Sequence, residues 1–518
     1  MLSPSFFVSR FLNRFAFGIK HNQMNKKIKI AFIASLFCLP TLIAQTAADA
    51  LRFTQTHIGG TARTVGIGGG IGALGADYGV MLSNPAGLAT FRRSEFTITP
   101  AFHLSNIGST LEGEGNELER ALETNINTNN LGYVNATQPS DRWRTMNFSM
   151  GFNKIANFDR VLAYDGTSLG SYTDRFVELA DGLTLDELGD FDAWPAYSAG
   201  AIYNPDANNP TFYQSDFFLE DMVDKEQVVT TTGKINEWTM GLAGSYKDKL
   251  MIGGSIGIPF LRYVEDKVYK ETDREDRIPI FNELQFNENL TTNGVGINAK
   301  FGIIYRASQA VRVGAAIHSP SFYALTDTYS TGVIYEFQEG ANGIRSDEKT
   351  QDSPGTFNYN FRTPFKVVGS AAFIIGRSGF VHGEVEYLDY GKSSYNFDNP
   401  SVADIEYQTF LNGDIRNQYQ SALNIRVGGE YAKDIFRIRA GFNINGTPYA
   451  VNTDELDLGL AVGFGVRKEN FFLDLGLRQF QTNLNYVPYV VASDFYNQQS
   501  VTSKITSQEL LLTLGFKI

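Results

Sequence analysis

From Glu95 to the last residue, apolar side chains recur at every second position in segments of eight to about fourteen residues, the period of a strand with one greasy face. The clearest segment sets Val295, Ile297, Ala299, Phe301, Ile303 and Tyr305 against Gly296, Asn298, Lys300, Gly302, Ile304 and Arg306. Another sets Phe436, Ile438, Ala440 and Phe442 against Arg437, Arg439, Gly441 and Asn443, and a third sets Leu473, Leu475 and Leu477 against Asp474, Gly476 and Arg478. Such a second face cannot line the dry interior of a sandwich, because unpaired buried charge is costly. Lipid on the apolar face and a wet lumen on the polar one satisfy both.

Segments near 95–104, 145–153 and 158–166, with eleven more from 236–246 to 508–518, predict fourteen strands. Short turns such as 247–249, 307–309, 377–379, 432–434 and 468–470 join strand pairs, and long polar stretches separate the pairs, the largest read as loops at 105–144 and 167–235. Short turns on one side and long loops on the other define an all-β fold, an antiparallel transmembrane β-barrel of about fourteen strands. The even count places both termini and every short turn on the same side. Phe152, Tyr246, Tyr305 and Tyr431 lie beside short turns, where an interfacial aromatic belt belongs. The terminal strand, with Leu510, Leu512, Leu514, Phe516 and Ile518 on one face, suits recognition by the barrel assembly machinery.

Composition agrees with this. The 518 residues include 50 Gly, 40 Phe and 25 Tyr, and only 19% are charged, a balance that excludes a disordered, collagenous or nucleic-acid-binding chain. A mean hydropathy of −0.18 argues against a helical membrane bundle and leaves a barrel open, since only alternate residues face lipid. At the N-terminus, Lys26, Lys27 and Lys29 precede an apolar run from Ile30 to Ile43 interrupted by Pro40, which reads as a signal peptide over 1–44, with Met24 as an alternative start. The run is shorter than the roughly 20 residues a spanning helix needs. Cleavage there removes the only cysteine, Cys38, and six basic residues, leaving 38 basic against 56 acidic side chains and a charge of −18. The expected mature chain is exported, acidic and free of thiols, so disulfides and thiolate metal sites are excluded.

Residues 45–93 precede the first strand and carry nine glycines between Gly59 and Gly79. Gly68-x-Gly70-x-x-Ala73 formally fits a relaxed dinucleotide fingerprint, yet no apolar strand precedes it. The segment instead resembles the N-terminal hatch of FadL-type outer-membrane transporters, through its glycine-rich stretch ending in Asp77 and the run Asn84, Pro85, Ala86, Gly87 and Leu88 directly before a strand. The stretches 317–323, 362–366 and 384–390 look like a branch of that family found in Gram-negative bacteria with gliding or dedicated secretion systems. The resemblance implies an integral outer-membrane barrel plugged at 45–93 by a periplasmic hatch, with 94–518 forming the barrel. It also implies a hydrophobic small-molecule ligand, a long-chain fatty acid or aromatic hydrocarbon, captured by extracellular loops and released sideways or past a moved hatch. No cofactor is implied.

Within 167–235, Phe176, Leu179, Ala180 and Leu183 make a helical stripe ended near Gly182, and Thr184-x-x-Glu187 is a capping box for a second short helix. Phe191, Trp194 and Tyr197 add to an apolar load that either packs the loop on itself as a lid or forms a capture groove. A groove of this kind holds an alkyl chain at about 0.8 kcal/mol per CH₂. Lys300, Arg426, Arg437 and Arg439 are the lumen-facing cations that could meet a carboxylate head, or else belong to an ordinary charged lumen. His382, Glu384 and Glu386 share a strand face, as metal ligands or as partners of those arginines. His318 and Ser319 point to opposite faces of a strand, and no nucleophile motif appears elsewhere, so an enzyme is not expected. Three functions remain: a hydrophobic-compound transporter, an adaptor barrel that binds secreted protein cargo, and a general porin, the last disfavoured by the hatch. The expected partners are outer-membrane lipid and the ligand, with no nucleic acid.

Overall fold

The computed structural model describes residues 45–56, 59–218, 221–338, 344–350, 353–398, 400–451, 456–491 and 499–518, so the signal peptide expected at 1–44 lies outside the described residues. Period-2 alternation yields one antiparallel sheet of nineteen described strands. They are β1 (Glu95–Leu111), β2 (Glu119–Thr137), β3 (Trp143–Asn157), β4 (Arg160–Leu169), β5 (Met222–Tyr246), β6 (Leu250–Thr272), β7 (Phe281–Arg306), β8 (Val311–His318), β9 (Phe322–Gln338), β10 (Ile344–Thr350), β11 (Gly355–Arg362), β12 (Lys366–Ile375), β13 (Gly379–Asp389), β14 (Ser394–Phe397), β15 (Ser421–Lys433), β16 (Phe436–Asn445), β17 (Asp457–Arg467), β18 (Phe471–Tyr486) and β19 (Val501–Lys517). Strand β19 pairs with β1, from Glu95 opposite Lys517 to Leu111 opposite Val501, and closes the sheet. Fourteen strands make the barrel wall at its short-turn end: β1, β2, β3, β5, β6, β7, β8, β12, β13 and β15 to β19.

The expected count holds because two errors in its assignment cancel. The stretch 105–144 is not a loop, since β1 and β2 occupy most of it. Strand β2 is rich in Asn, Thr and Glu, with Leu122 and Ile126 the apolar residues facing out from its upper half, so its alternation is faint. The segment expected as a separate strand at 158–166 is the upward continuation of β3. Asn157 faces Lys234 and Arg160 faces Thr231, so β3 and β4 share β5 as partner. The loop read at 167–235 is likewise shorter, because β4 ends at Leu169 and β5 begins at Met222.

Side chains alternate across the wall as the pattern requires. Ile438 is 60% exposed on the outside, while its neighbour Arg439 is 2% exposed on the inside. Apolar residues cover the outer face continuously from β15 to β18, far beyond the few hundred Å² tolerated in water, and fit a hydrocarbon layer. Wall height differs around the barrel. Strands β16 and β17, of 10 and 11 residues, match the roughly 9–11 residues that span a bilayer, whereas β5, β6 and β7 run 25, 23 and 26 residues.

The tall wall carries a folded cap built from 170–218. Ser171 and Asp174 form the capping box of helix α4 (Tyr172–Ala180), Gly182 at φ 88° ends that turn, and Thr184 with Glu187 caps a single 3₁₀ turn before helix α5 (Ala193–Ala199). Tyr172, Phe176, Ala196 and Tyr213 pack here against Tyr269, Phe286 and Tyr335 of the long strands. A further helix, α6 (Val402–Gln418), lies between β14 and β15 and buries Tyr407, Leu411 and Ile415.

Candidate functional site

Residues 45–93 fold inside the barrel. Helix α1 (Ala47–Thr54) is held high in the lumen, where Gln45 Nε2 donates to Asp327 at 2.7 Å and the Tyr407 hydroxyl to the Gln45 carbonyl at 2.5 Å. Below it, α2 (Ala62–Gly66), α3 (Val80–Ser83) and the 3₁₀ turn Pro85–Thr90 form the hatch. Glycine lets the hatch backbone lie directly on the wall. A Cβ at Gly428 or Gly441 would run into the Ile67 and Gly68 backbone.

The family-like residues hold the hatch together and bind it to the wall. Asp77 accepts from the Thr61 and Thr64 hydroxyls and from Gly79 N–H, each at 2.8 Å. Asn84 Nδ2 donates to the Gly72 carbonyl at 2.8 Å and to Ile303 of β7 at 3.1 Å, while its Oδ1 accepts from Ala86 N–H. Pro85 at the first position sets the 3₁₀ turn, and Ala86, Gly87 and Leu88 are buried beneath it. Glu384 Oε2 accepts from Gly72 N–H at 2.9 Å and Ser83 Oγ at 2.8 Å. His318 contacts the Ser83 carbonyl at 2.6 Å, and His382 the Ile67 carbonyl at 2.9 Å. Arg312 donates to the Leu74 carbonyl, Thr145 to Ala89, and Asn147 to both Leu88 and Phe91.

The lumen cations are committed to wall carboxylates. Arg426 bridges Glu384 at 2.8 Å and Glu386 at 3.1 Å; Lys300 pairs with Glu237 at 2.5 Å; Arg439 joins Glu430 and Asp474, each at 2.7 Å; Arg437 lies 4.0 Å from Glu430. Arg63 of α2 enters the same network through Glu430 at 3.3 Å. The polar face of β13 to β18, expected to meet water, is therefore largely buried against the hatch. His382 and Glu384 bond to the hatch, and Glu384 and Glu386 to Arg426; the three do not form a metal-ligating group among the described residues.

On the opposite side the wall is unfinished. Strands β2 and β3 pair only from Asn130 opposite Asn153 to Thr137 opposite Met146. Above that point Glu119–Asn129 of β2 faces no ladder partner on the β3 side among the described residues, and β4 pairs with β5 alone. The cause lies in β3, where an extra residue at Ile155 bulges the strand against β5 and bends it inward. Phe158 follows, its ring edge-on to Phe53 of α1 at 6.5 Å and to Tyr263 at 5.4 Å, while Gly233 at φ 120° accommodates the bend in β5. Beyond it β4 crosses toward β1, packing Leu162 and Tyr164 on Leu111 and Val501, and Asn116 ties its end through Thr167.

A cavity of about 1150 Å³ extends from this unpaired seam through the upper lumen. Glu123 and Asn125 of β2, Ile155 to Leu162 of β3 and β4, α1, and Tyr486 and Val490 line it. Lys154 crosses the sill of the seam to Asn127 Oδ1 at 2.9 Å and also contacts His103. Arg160, at the start of β4, lines the cavity and forms no ion pair among the described residues. Sequence reasoning missed the seam and Arg160; the break between the 145–153 and 158–166 segments was its visible trace. Of the loop aromatics, Phe176 is fully buried in the cap, Leu179, Phe191 and Tyr197 are half-buried, and Trp194 is exposed at 42%.

Among solved structures, the chain is similar to a Pseudomonas aeruginosa FadL homologue, with 12% identity and a TM-score of 0.53 over 89% of this chain and 99% of that one. It is similar also to the P. putida toluene transporter TodX, with 11% identity and a TM-score of 0.50 over 89% of this chain and 99% of that one. The protein thus has the fold of the FadL-type barrels. No family model and no curated protein sequence matches the chain.

Proposed function

We propose that the protein carries hydrophobic small molecules across the outer membrane of a Gram-negative bacterium, taking them up through the cap and upper lumen and releasing them sideways through the seam between β2 and β3. The observation that carries this reading is the contrast between the two sides of the barrel. Moving the hatch breaks thirteen hydrogen bonds, nine of them buried and four partly buried, on the order of 10 kcal/mol. Leaving through the seam breaks no ladder hydrogen bond, because none is formed there, and delivers an apolar molecule straight into hydrocarbon. Unpaired backbone facing lipid is costly, so a gap of this kind needs a compensating use. The solved relatives named as a FadL homologue and a toluene transporter support the substrate class. Arg160, unpaired and facing the cavity, favours an amphiphile with one anionic head, such as a fatty acid, over a plain hydrocarbon.

Removing the bulge tests the route. Deleting Ile155 restores an unbroken strand that can extend its pairing along β2. Uptake of a labelled long-chain fatty acid by whole cells should fall to background while the barrel stays folded; undiminished uptake contradicts lateral release. Lipid extraction and native mass spectrometry of the purified native protein should find a bound amphiphile, and a co-purifying protein in an otherwise empty barrel would favour the cargo-adaptor reading.

A further inference from the structure

Charge is distributed very unevenly along the barrel axis. The cap segment 170–218 holds nine acidic residues and a single base, Arg175. At the other end, the segments 92–94, 138–144, 247–249, 306–312, 376–378, 432–437, 467–470 and 517–518 hold fourteen basic residues against four acidic ones, in a chain whose net charge is −12. Each of the six short turns carries or is flanked by a lysine or arginine. Nine of the fourteen are exposed, among them Arg93, Arg142, Lys249, Arg377, Lys433 and Lys468.

Position makes this more than a solvated rim. Outward-facing rings stand beside exposed cations on the turn side: Tyr431 is two residues before Lys433 on the same face of β15, and Arg142 directly precedes Trp143 at the start of β3. Those two rings are 57% and 39% exposed on the outer face of the barrel. Aromatic rings of this kind settle at the boundary between hydrocarbon and head groups. An exposed basic side chain two residues beyond on the same face, or in the adjoining turn, reaches the level of the phosphates with its alkyl stem along the apolar boundary.

We propose that the short-turn rim is a docking surface for anionic phospholipids of the inner leaflet, a ring of cations that binds phosphatidylglycerol-type head groups and fixes the depth and tilt of the barrel. This rests on the membrane placement proposed above and goes beyond it by naming the lipid. Near an anionic surface each lysine or arginine contributes attraction that falls off within a Debye length, so the preference is sensitive to salt. The acidic cap has no such use for anionic lipid, and the asymmetry orients the molecule.

The test is native mass spectrometry of the full barrel released from mixed micelles holding equal amounts of phosphatidylglycerol and phosphatidylethanolamine. The expected result is a roughly tenfold enrichment of retained phosphatidylglycerol, lost at high salt and lost in the variant R142Q/K249Q/R377Q/K433Q/K468Q. Equal retention of the two lipids by the native, folded barrel overturns the proposal and leaves the membrane placement standing. Retention unchanged by the five substitutions, in a variant whose heat-modified gel shift shows it folded, also overturns it. Should that variant not fold, the salt titration on the native protein decides alone.

Discussion

Two stretches of the same wall differ in what their inner faces do. From β13 to β18, acids and bases at alternate positions are matched one to another and to the hatch, and wall glycines admit the hatch backbone to van der Waals contact. Between β2 and β3, one bulged residue turns a strand inward and leaves eleven residues of its neighbour, paired on their other edge with β1, without a ladder partner on the β3 side among the described residues. The first region is what a seal requires, since its buried carboxylates and arginines are held in ion pairs, although Arg439 Nη2 and His382 Nδ1 keep no hydrogen bond among the described residues. The second is what an exit into a membrane requires. A barrel can therefore be plugged and open at once, provided the opening is in its side.

Breaking the seal should have the largest effect. Glu384→Ala removes the acceptor shared by Gly72, Ser83 and Arg426, leaving a buried arginine with Glu386 alone. A loss of about 3–5 kcal/mol is expected, seen as a lowered unfolding midpoint and as sensitivity of cells to hydrophilic antibiotics the outer membrane normally excludes. Gly428→Val drives a side chain into the Ile67 carbonyl, displacing the hatch locally at a cost of about 1–3 kcal/mol. The same antibiotic leak should appear, with a smaller shift of the midpoint.

Changes on the open side should leave stability alone and alter transport. Arg160→Gln is expected to weaken uptake of a carboxylate amphiphile about tenfold, equivalent to about 1.4 kcal/mol, and to leave uptake of a neutral aromatic hydrocarbon unchanged; competition between the two labelled substrates in one assay reads both. The exposed cap residues Trp194 and Phe218 should matter least. Their joint replacement by alanine is expected to slow uptake about two- to threefold without moving the unfolding midpoint.

The sealed side was the more legible of the two. Alternation over 295–305, 436–444 and 471–478 marked the wall strands and their faces, and the placement of Glu384 and Glu386 near Arg426 followed from strand parity. Asp77 and Asn84 to Leu88 carried the hatch only through a family resemblance; by residue types alone the run Asn84 to Gly87 signals a turn, and a 3₁₀ turn over Pro85–Thr90 is what it forms. The expectation of a wet lumen failed at Arg439 and Asp474, since partners supplied by the hatch and by neighbouring strands are long-range. Strand β2 was missed because the outward face of its upper half carries Arg120, Thr124 and Thr128 as well as Leu122 and Ile126. The seam was illegible for a further reason. A missing ladder is a relation between strands, and the break in alternation at Ile155 marks an interruption of one strand without saying which neighbour loses its partner.

The central claim is that the hatch stays seated while the ligand leaves through the side. A Cβ built on Gly66 falls 3.1 Å from the Gly463 Cα, and one on Gly463 falls 3.3 Å from the Gly66 Cα, so the pair G66C/G463C brings two thiols together for an oxidative cross-link between hatch and wall, its formation read by mass spectrometry. The expected mature chain has no other cysteine to compete. Fatty acid uptake measured before and after reduction of this variant should be the same, and near that of the native protein. Uptake abolished in the oxidised form and restored by reductant would show that the hatch must move, and would contradict the account.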